Sequence, residues 1–230
     1  LLNSIKACPM RRSTAQDIIV IADTQVDNDS PTHHLEALSK FIWEHKAGHI
    51  IDIGDHWDLP SLSSYASKKE QEGRRLYDDL QGGFDAFKLI MKETKMRNHI
   101  GKKKKYSPNK HFLMGNHENR LIRFINDHPI LEGCFDIGAW VADQGWDVHG
   151  FNVPLFINDV CFVHFLENAM SGRPVGGSME SKLNKFPHSF VHGHQQQHQY
   201  ASRQNLLGKP HFGACAGSFY LHDEGYRGAN

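Results

Sequence analysis

The stretch HIIDIGDHWD, residues 49–58, joins a short apolar run to a group of polar side chains. Its run of isoleucines predicts a buried strand. Glycine at position 54 lets the backbone turn sharply where that strand ends. The carboxylate of Asp55 is then expected to face a cleft at the carboxyl end of the strand, and the predicted fold rests on this pattern.

Four other runs of the same kind occur along the chain. Each is short and rich in β-branched or aromatic residues, which is typical of a buried strand. They are DIIVIAD (17–23), HFLMGN (111–116), VCFVH (160–164) and SFVHGH (189–194).

Helical patterns separate these runs. Apolar residues at helical spacing predict an amphipathic helix over 33–45. A second helical region covers 74–97, with a break or kink expected at Gly82-Gly83, and a third covers 118–128 and stops at Pro129. Alternation over 146–164 predicts hairpin strands. The whole pattern indicates an α/β protein with a largely parallel sheet that is finished by antiparallel strands.

The bulk composition limits the protein class. A chain of 230 residues suits one large domain, 1–230. The chain has 26 basic residues (Lys and Arg) and 26 acidic residues (Asp and Glu). Its net charge therefore produces no overall electrostatic field that would attract it to nucleic acid or to a membrane. No apolar run approaches the ~20 residues of a membrane span. The four cysteines form no C-x-x-C pair, which favours a reducing, cytoplasmic setting.

Residues 59–110 are interpreted as a helical and lysine-rich insertion between the second and third strands. It ends in GKKKKYSPNK, 101–110. Lys102–Lys105 are either a solvated loop or a sequence-independent contact to the phosphate backbone of a nucleic acid.

Polar side chains follow each of the predicted strands. Ligands of open α/β sheets bind at the carboxyl ends of the strands, so we expect these residues to meet in space. Each alone has an ordinary explanation as a cap, turn or core residue, but their common placement favours a site for two divalent cations bridged by a carboxylate. They are Asp23, Asp55, Asp58, Asn116, His117, His164 and His194.

The ordered series D-x-x, G-D-x-x-D, G-N-H-E, H and G-H resembles the calcineurin-like metallophosphoesterase superfamily, from residue 18 to about 217. The layout GNHENRLIRFINDHPILEG, 115–133, is most similar to phage-encoded members. The resemblance implies a four-layer α/β/β/α sandwich with a mixed, largely parallel sheet core. It also implies two bound metals and hydrolysis of a phosphoester by a hydroxide that bridges them. The cytoplasm of the host is the expected location of a phage-encoded protein.

The resemblance implies a role for each matching residue. Asp55 is the bridging carboxylate, His117 is the general acid or transition-state stabiliser, and Asp58 orients His117. Metal site 2 takes Asp55, Asn116, His164 and His194. Metal site 1 takes Asp23, Asp55 and the residues at positions 25 and 196.

Both departures from the family pattern fall on site 1. The family has histidine where this chain has Gln25 and Gln196. A glutamine ligates through its carbonyl oxygen, so site 1 becomes an all-oxygen site that favours Mn²⁺ or Mg²⁺ and binds its metal weakly. Site 2 is compatible with Mn²⁺, Fe or Zn²⁺.

Three further residues are candidate substrate contacts. Arg173 lies in a Gly- and Pro-rich loop after His164, and its guanidinium suits phosphate; an exposed loop arginine is the alternative. Arg120 follows GNHE and contacts phosphate or pairs locally. His56 adjoins Asp55 and is expected to line the cleft.

The predicted function is a metal-dependent phosphoester hydrolase. Its substrate is a phosphodiester, in nucleic acid or nucleotides, or a phosphomonoester, and the lysine run leans toward nucleic acid and a nuclease. A protein phosphatase is less favoured, because Leu59 stands where that branch has arginine. The rival from another class is a non-catalytic metal-binding scaffold. The sequence leaves the oligomeric state and the natural substrate open.

Overall fold

The computed structural model describes residues 17–64, 66–101, 104–204 and 208–221, and these contain nine strands and six α-helices. The strands are β1 (Ile18–Ile21), β2 (His49–Asp52), β3 (Asn109–Leu113), β4 (Asp147–His149), β5 (Leu155–Ile157), β6 (Val160–Val163), β7 (Ser189–His192), β8 (Gln199–Gln204) and β9 (Pro210–Cys215). The helices are α1 (His33–His45), α2 (Leu76–Ile90), α3 (Lys92–Ile100), α4 (Asn116–Asp127), α5 (Ile137–Asp143) and α6 (Met179–Leu183). The expected α/β class is confirmed.

The strands form two sheets. The first has the order β1-β2-β3-β4, and every pair in it is parallel. The second has the order β5-β6-β7-β9-β8, with a parallel centre and an antiparallel strand at each edge. All five runs that were predicted as buried strands lie in these sheets, as β1, β2, β3, β6 and β7.

Separate apolar clusters cover the faces of the sheets. Ile51 and Leu113 of the first sheet pack with Phe162 of the second. On the helical side of the first sheet, Ile50 and Phe112 pack with side chains of α1, α2, α4 and α5. The second sheet packs against Met179 and Leu183 of α6. Each fully buried side chain of this size contributes about 1.5–3 kcal/mol, so these contacts hold the strand ends in place.

The expected break at Gly82-Gly83 is wrong. Helix α2 continues through both glycines, and the chain breaks instead at Met91, between α2 and α3. A Cβ on Gly83 would overlap the indole of Trp57, which is fully buried. Glycine at this position therefore serves close packing against Trp57.

The prediction of hairpin strands over 146–164 is right in part. β5 and β6 form the antiparallel hairpin, but β4 joins the first sheet beside β3, in parallel. Period-two alternation identifies a strand without identifying its partner.

The predicted insertion, 59–110, contains α2 and α3, and α2 adds Phe87 and Ile90 to the helix-side core. Lys104 and Lys105 are exposed, whereas Lys102 and Lys103 lie outside the described residues. That the whole chain forms one domain stays a prediction. Across the described ranges, no helix has the length and apolar character needed to cross a membrane.

Candidate metal centre

The predicted ligands converge where strands of both sheets end. Asp23 follows β1, Asp55 follows β2, and Asn116 begins α4 directly after β3. His164 and His194 follow β6 and β7 in the second sheet. Ligand atoms of Asp55, His164 and His194 all lie within 4.8 Å of one another, which is close enough to hold one metal ion.

Around site 2 the donor atoms already lie close together. The Nε2 atom of His164 lies 3.3 Å from Asp55 Oδ2 and 3.0 Å from Asn116 Oδ1. Nδ1 of His194 lies 2.7 Å from the same Asn116 oxygen. His164 Nδ1 lies 2.9 Å from the carbonyl oxygen of Ile53. A proton donated there fixes the ring and leaves Nε2 facing the site.

Around site 1 the donors are oxygens. Asp23 is fully buried; its Oδ1 accepts a hydrogen bond from the His194 amide at 3.2 Å, and its Oδ2 has no hydrogen-bond partner in the described part of the chain. The side chains of Gln25 and Gln196 meet, with Gln196 Nε2 donating to Gln25 Oε1 at 3.4 Å. A buried carboxylate oxygen without a partner fits a bound cation.

The charges of the centre are strongly coupled. Burial raises the pKa of Asp23 to about 8, aided by the nearby Asp55 carboxylate. Burial also opposes a charge on His164, but the carboxylates of Asp55 and Asp23 outweigh it and raise the pKa of His164 to about 10. His117 and His164 overcome the burial of Asp55 and hold its pKa below the usual range. The carboxylates therefore demand a positive partner, either a proton or a metal.

Several ligands stand on left-handed backbone. The φ angles are 41° at Gln25, 55° at Asp55 and 65° at His194, a region that residues other than glycine adopt infrequently. A Cβ at Gly193 would meet the Asp23 carboxylate, so only glycine allows the His194 loop to approach β1 this closely. The local backbone thus serves the placement of the ligands.

Glu118 supports the centre and was missed as a functional residue. Its Oε2 accepts hydrogen bonds from the amides of Asp55 at 3.0 Å and Gly115 at 2.8 Å, and its Oε1 accepts one from Trp57 at 3.0 Å. It joins the turn after β2 to the start of α4. Its position three residues into the helix, in the capping-box spacing, was the available signal.

Lys182 of α6 was also missed. This lysine is buried, and its Nζ lies 2.6 Å from Gln195 Oε1 and 3.1 Å from His192 Nε2. It thereby anchors the loop that carries His194 and Gln196. His192 is itself buried and acts as a hydrogen-bonding residue of the core. A lone lysine in a helix of five residues gives no sequence signal for such a role.

His117, Asp58 and Arg120 form a group beside the ligands. His117 Nδ1 lies 3.1 Å from Asp58 Oδ1, and its Nε2 lies 2.8 Å from Arg120 Nη2 and 3.7 Å from Asp55 Oδ2. Arg120 also donates to the backbone oxygen of Asp58 at 3.0 Å. Burial lowers the pKa of His117, but the carboxylates of Asp55 and Asp58 outweigh burial and raise it overall.

Two candidate substrate contacts lie elsewhere. His56 is fully buried, with Nδ1 2.7 Å from Thr24 Oγ1 and Nε2 3.2 Å from the Gly83 carbonyl oxygen. Both ring nitrogens are engaged, so His56 does not line the cleft as expected. Arg173 is exposed in the loop after β6, and no contact joins its guanidinium to the described ligands.

No protein-family model, curated protein or solved structure significantly matches this chain. The interpretation of the centre rests on its residues and their geometry.

Proposed function

We propose that this protein is a metal-dependent phosphoester hydrolase of the calcineurin-like metallophosphoesterase type. The observation that carries the proposal is the convergence of Asp55, Asn116, His164 and His194 beside the His117–Asp58 pair. The apolar clusters support a four-layer α/β/β/α sandwich, because helices cover the outer face of each sheet and the inner faces share a cluster.

Two divalent cations fit the donor set. Site 2 would use Asp55, Asn116, His164 and His194, with Mn²⁺, Fe or Zn²⁺. Site 1 would use Asp23, Gln25, Asp55 and Gln196, where the oxygen donors favour Mn²⁺ or Mg²⁺. Such cations, when bound, supply a nucleophile at neutral pH and screen the oxygens of a phosphate.

His117 would act on the leaving group. Its Nδ1 lies 3.1 Å from Asp58 Oδ1, which orients the ring. Its Nε2 accepts a hydrogen bond from Arg120 in this structure, and it would donate a proton to the departing alkoxide oxygen once Arg120 turns to a phosphate oxygen. The raised pKa of His117 favours the protonated form that this step requires. Arg120, next to Nε2, is positioned to bind a phosphate oxygen there.

A metal-binding scaffold without turnover is the second candidate, and Gln25 and Gln196 favour it because they weaken site 1. The His117–Asp58 pair argues against it, since a scaffold needs no proton donor for a leaving group.

A metal screen tests the proposal. The purified chain is assayed on p-nitrophenyl phosphate and bis-p-nitrophenyl phosphate with Mn²⁺, Mg²⁺, Zn²⁺ or no metal. We expect hydrolysis with Mn²⁺ that is lost in Asn116→Ala and His117→Asn. Metal binding without turnover under all conditions would favour the scaffold, and activity that survives Asn116→Ala would identify a contaminant.

A further inference from the structure

A polar cavity opens beside the His117 group. It has a volume of about 300 Å³ and lies between residues 61–64 and one face of α4. Ser61, Ser64, Arg120, Arg123, Phe124 and Asp127 are among the residues that line it. Arg120 belongs to both the cavity and the His117 group, so the two are adjacent.

The position of the cavity relates it to the leaving group. If His117 protonates the departing oxygen, as the proposed function requires, the leaving group extends away from the metal ligands on the His117 side. Arg120 Nη2, 2.8 Å from His117 Nε2, marks the entrance on that side. The group attached to the departing oxygen is then placed beside the cavity that Arg120 and Arg123 line.

Arg123 is suited to bind an anion. It is exposed, and it has no hydrogen bond or ion pair with any other residue that the structure describes. Arg74 and Arg97, by contrast, each pair with a carboxylate. Positions three apart on a helix have Cβ atoms about 5–6 Å apart, so Arg120 and Arg123 lie on the same face of α4, and both line the cavity.

The remaining lining residues restrict what the cavity accepts. Phe124 offers an aromatic surface on which a base can pack. Ser64 adds a hydroxyl group at the opposite wall, whereas the hydroxyl of Ser61 is buried. Asp127 places one carboxylate in the same cavity, so with the two arginines the lining carries a small net positive charge, suited to one additional phosphate.

We propose that this cavity binds a second phosphate, carried by the leaving group, together with its nucleoside. The substrate class is then a phosphodiester between nucleosides in which the leaving nucleoside bears a further phosphate. This inference rests on the proposed function for the direction of the leaving group. The same chemistry occurs in a nucleic acid strand and in a short free oligonucleotide.

Arg123→Gln, with Arg97→Gln as the matched exposed control, tests the cavity kinetically. The substrates are dithymidine monophosphate with and without an extra terminal phosphate at either end, with bis-p-nitrophenyl phosphate as reference. We expect Arg123→Gln to lower kcat/KM for a phosphate-bearing dinucleotide about 10- to 100-fold relative to the reference, the factor of one charge-assisted hydrogen bond. An unchanged ratio would overturn the proposal.

A binding measurement tests the cavity independently of the proposed hydrolase activity. Thymidine 3′,5′-bisphosphate is titrated into the wild type and both variants without metal. Weaker binding to Arg123→Gln alone supports the cavity. If the wild type also hydrolyses none of the substrates, the hydrolase is refuted and the cavity is still supported. Equal binding to all three proteins refutes the cavity. With longer oligothymidylates, kcat/KM that keeps rising with length identifies a strand as the substrate, and a plateau at the dinucleotide identifies a free nucleotide.

Discussion

The two sites of the proposed metal centre would share Asp55, and they differ in how closely their other donor side chains lie. In site 2 the distances His194–Asn116, His164–Asn116 and His164–Asp55 between donor atoms are 2.7, 3.0 and 3.3 Å, and the Ile53 carbonyl orients His164. In site 1 the side-chain amides of Gln25 and Gln196 meet through a hydrogen bond of 3.4 Å, which is longer than these site 2 distances. We infer that, in the proposed centre, the carboxylates set the charge, whereas the residues at positions 25 and 196 would set which metal site 1 takes and how tightly.

The largest effect is expected from a variant that weakens both proposed metal sites at once. Asp55→Asn removes the shared charge but keeps a residue type that tolerates the left-handed backbone at φ 55°. We expect at least a ~100-fold loss of Mn²⁺ affinity and of kcat/KM, because altering even a residue that only supports a metal ligand costs 10–100-fold. Asp85→Asn, an exposed carboxylate of α2, is the control. Titration calorimetry showing that one site survives would contradict the shared role.

Placing histidines at positions 25 and 196 tests whether the two glutamines make site 1 the weaker metal site. The double variant Gln25→His with Gln196→His is expected to raise the Zn²⁺ affinity of site 1 by about 10- to 100-fold, since imidazole suits zinc better than an amide oxygen. The metal content of protein purified with trace zinc should then rise from about one ion per chain to two. Zinc content equal to that of the wild type would show that the glutamines do not weaken the site.

The thermal stability of the protein with and without metal tests whether a cation binds the buried carboxylates, and it requires no turnover. A cation that binds only the folded state stabilises it by about 2.7 kcal/mol at a concentration 100 times its Kd. For a chain of 230 residues this corresponds to a rise in Tm of roughly 5–10 °C. We expect that rise on adding Mn²⁺ and its reversal by a chelator. The same rise in Asp55→Asn would mean that the cation acts elsewhere.

The smallest expected effect concerns the support of the His194 loop. Lys182→Met keeps the buried stem but removes the hydrogen bonds to Gln195 and His192. We expect up to a ~10-fold loss of Mn²⁺ affinity, the lower end for a group that orients ligands. The variant Lys185→Met, a nearby exposed lysine, should match the wild type. Lower thermal stability of Lys182→Met with unaltered Mn²⁺ affinity would assign Lys182 a purely structural role.

Much of the centre was predictable because it depends on strand ends. A short apolar run followed by a polar residue predicts where Asp23, Asp55 and His164 lie, and parallel strands bring such ends together. The α1 helix was also predictable to the residue, because its apolar spacing is regular.

The rest depends on contacts that no local pattern encodes. His56 follows Gly-Asp as a cleft residue would, yet Thr24 and Gly83 bind its ring inside the core. Gly83 resembles a helix breaker until the Trp57 indole is placed against it. The partner of β4 and the role of Lys182 likewise arise from tertiary packing alone.

The left-handed backbone at Gln25, Asp55 and His194 has a consequence for how this protein changes under selection. Each such residue costs the fold about 1–3 kcal/mol, which glycine at the same position would largely relieve. Selection for heat resistance alone would therefore tend to replace these predicted ligands before it altered the core. Retention of these three side chains among descendants would therefore support the proposed metal centre.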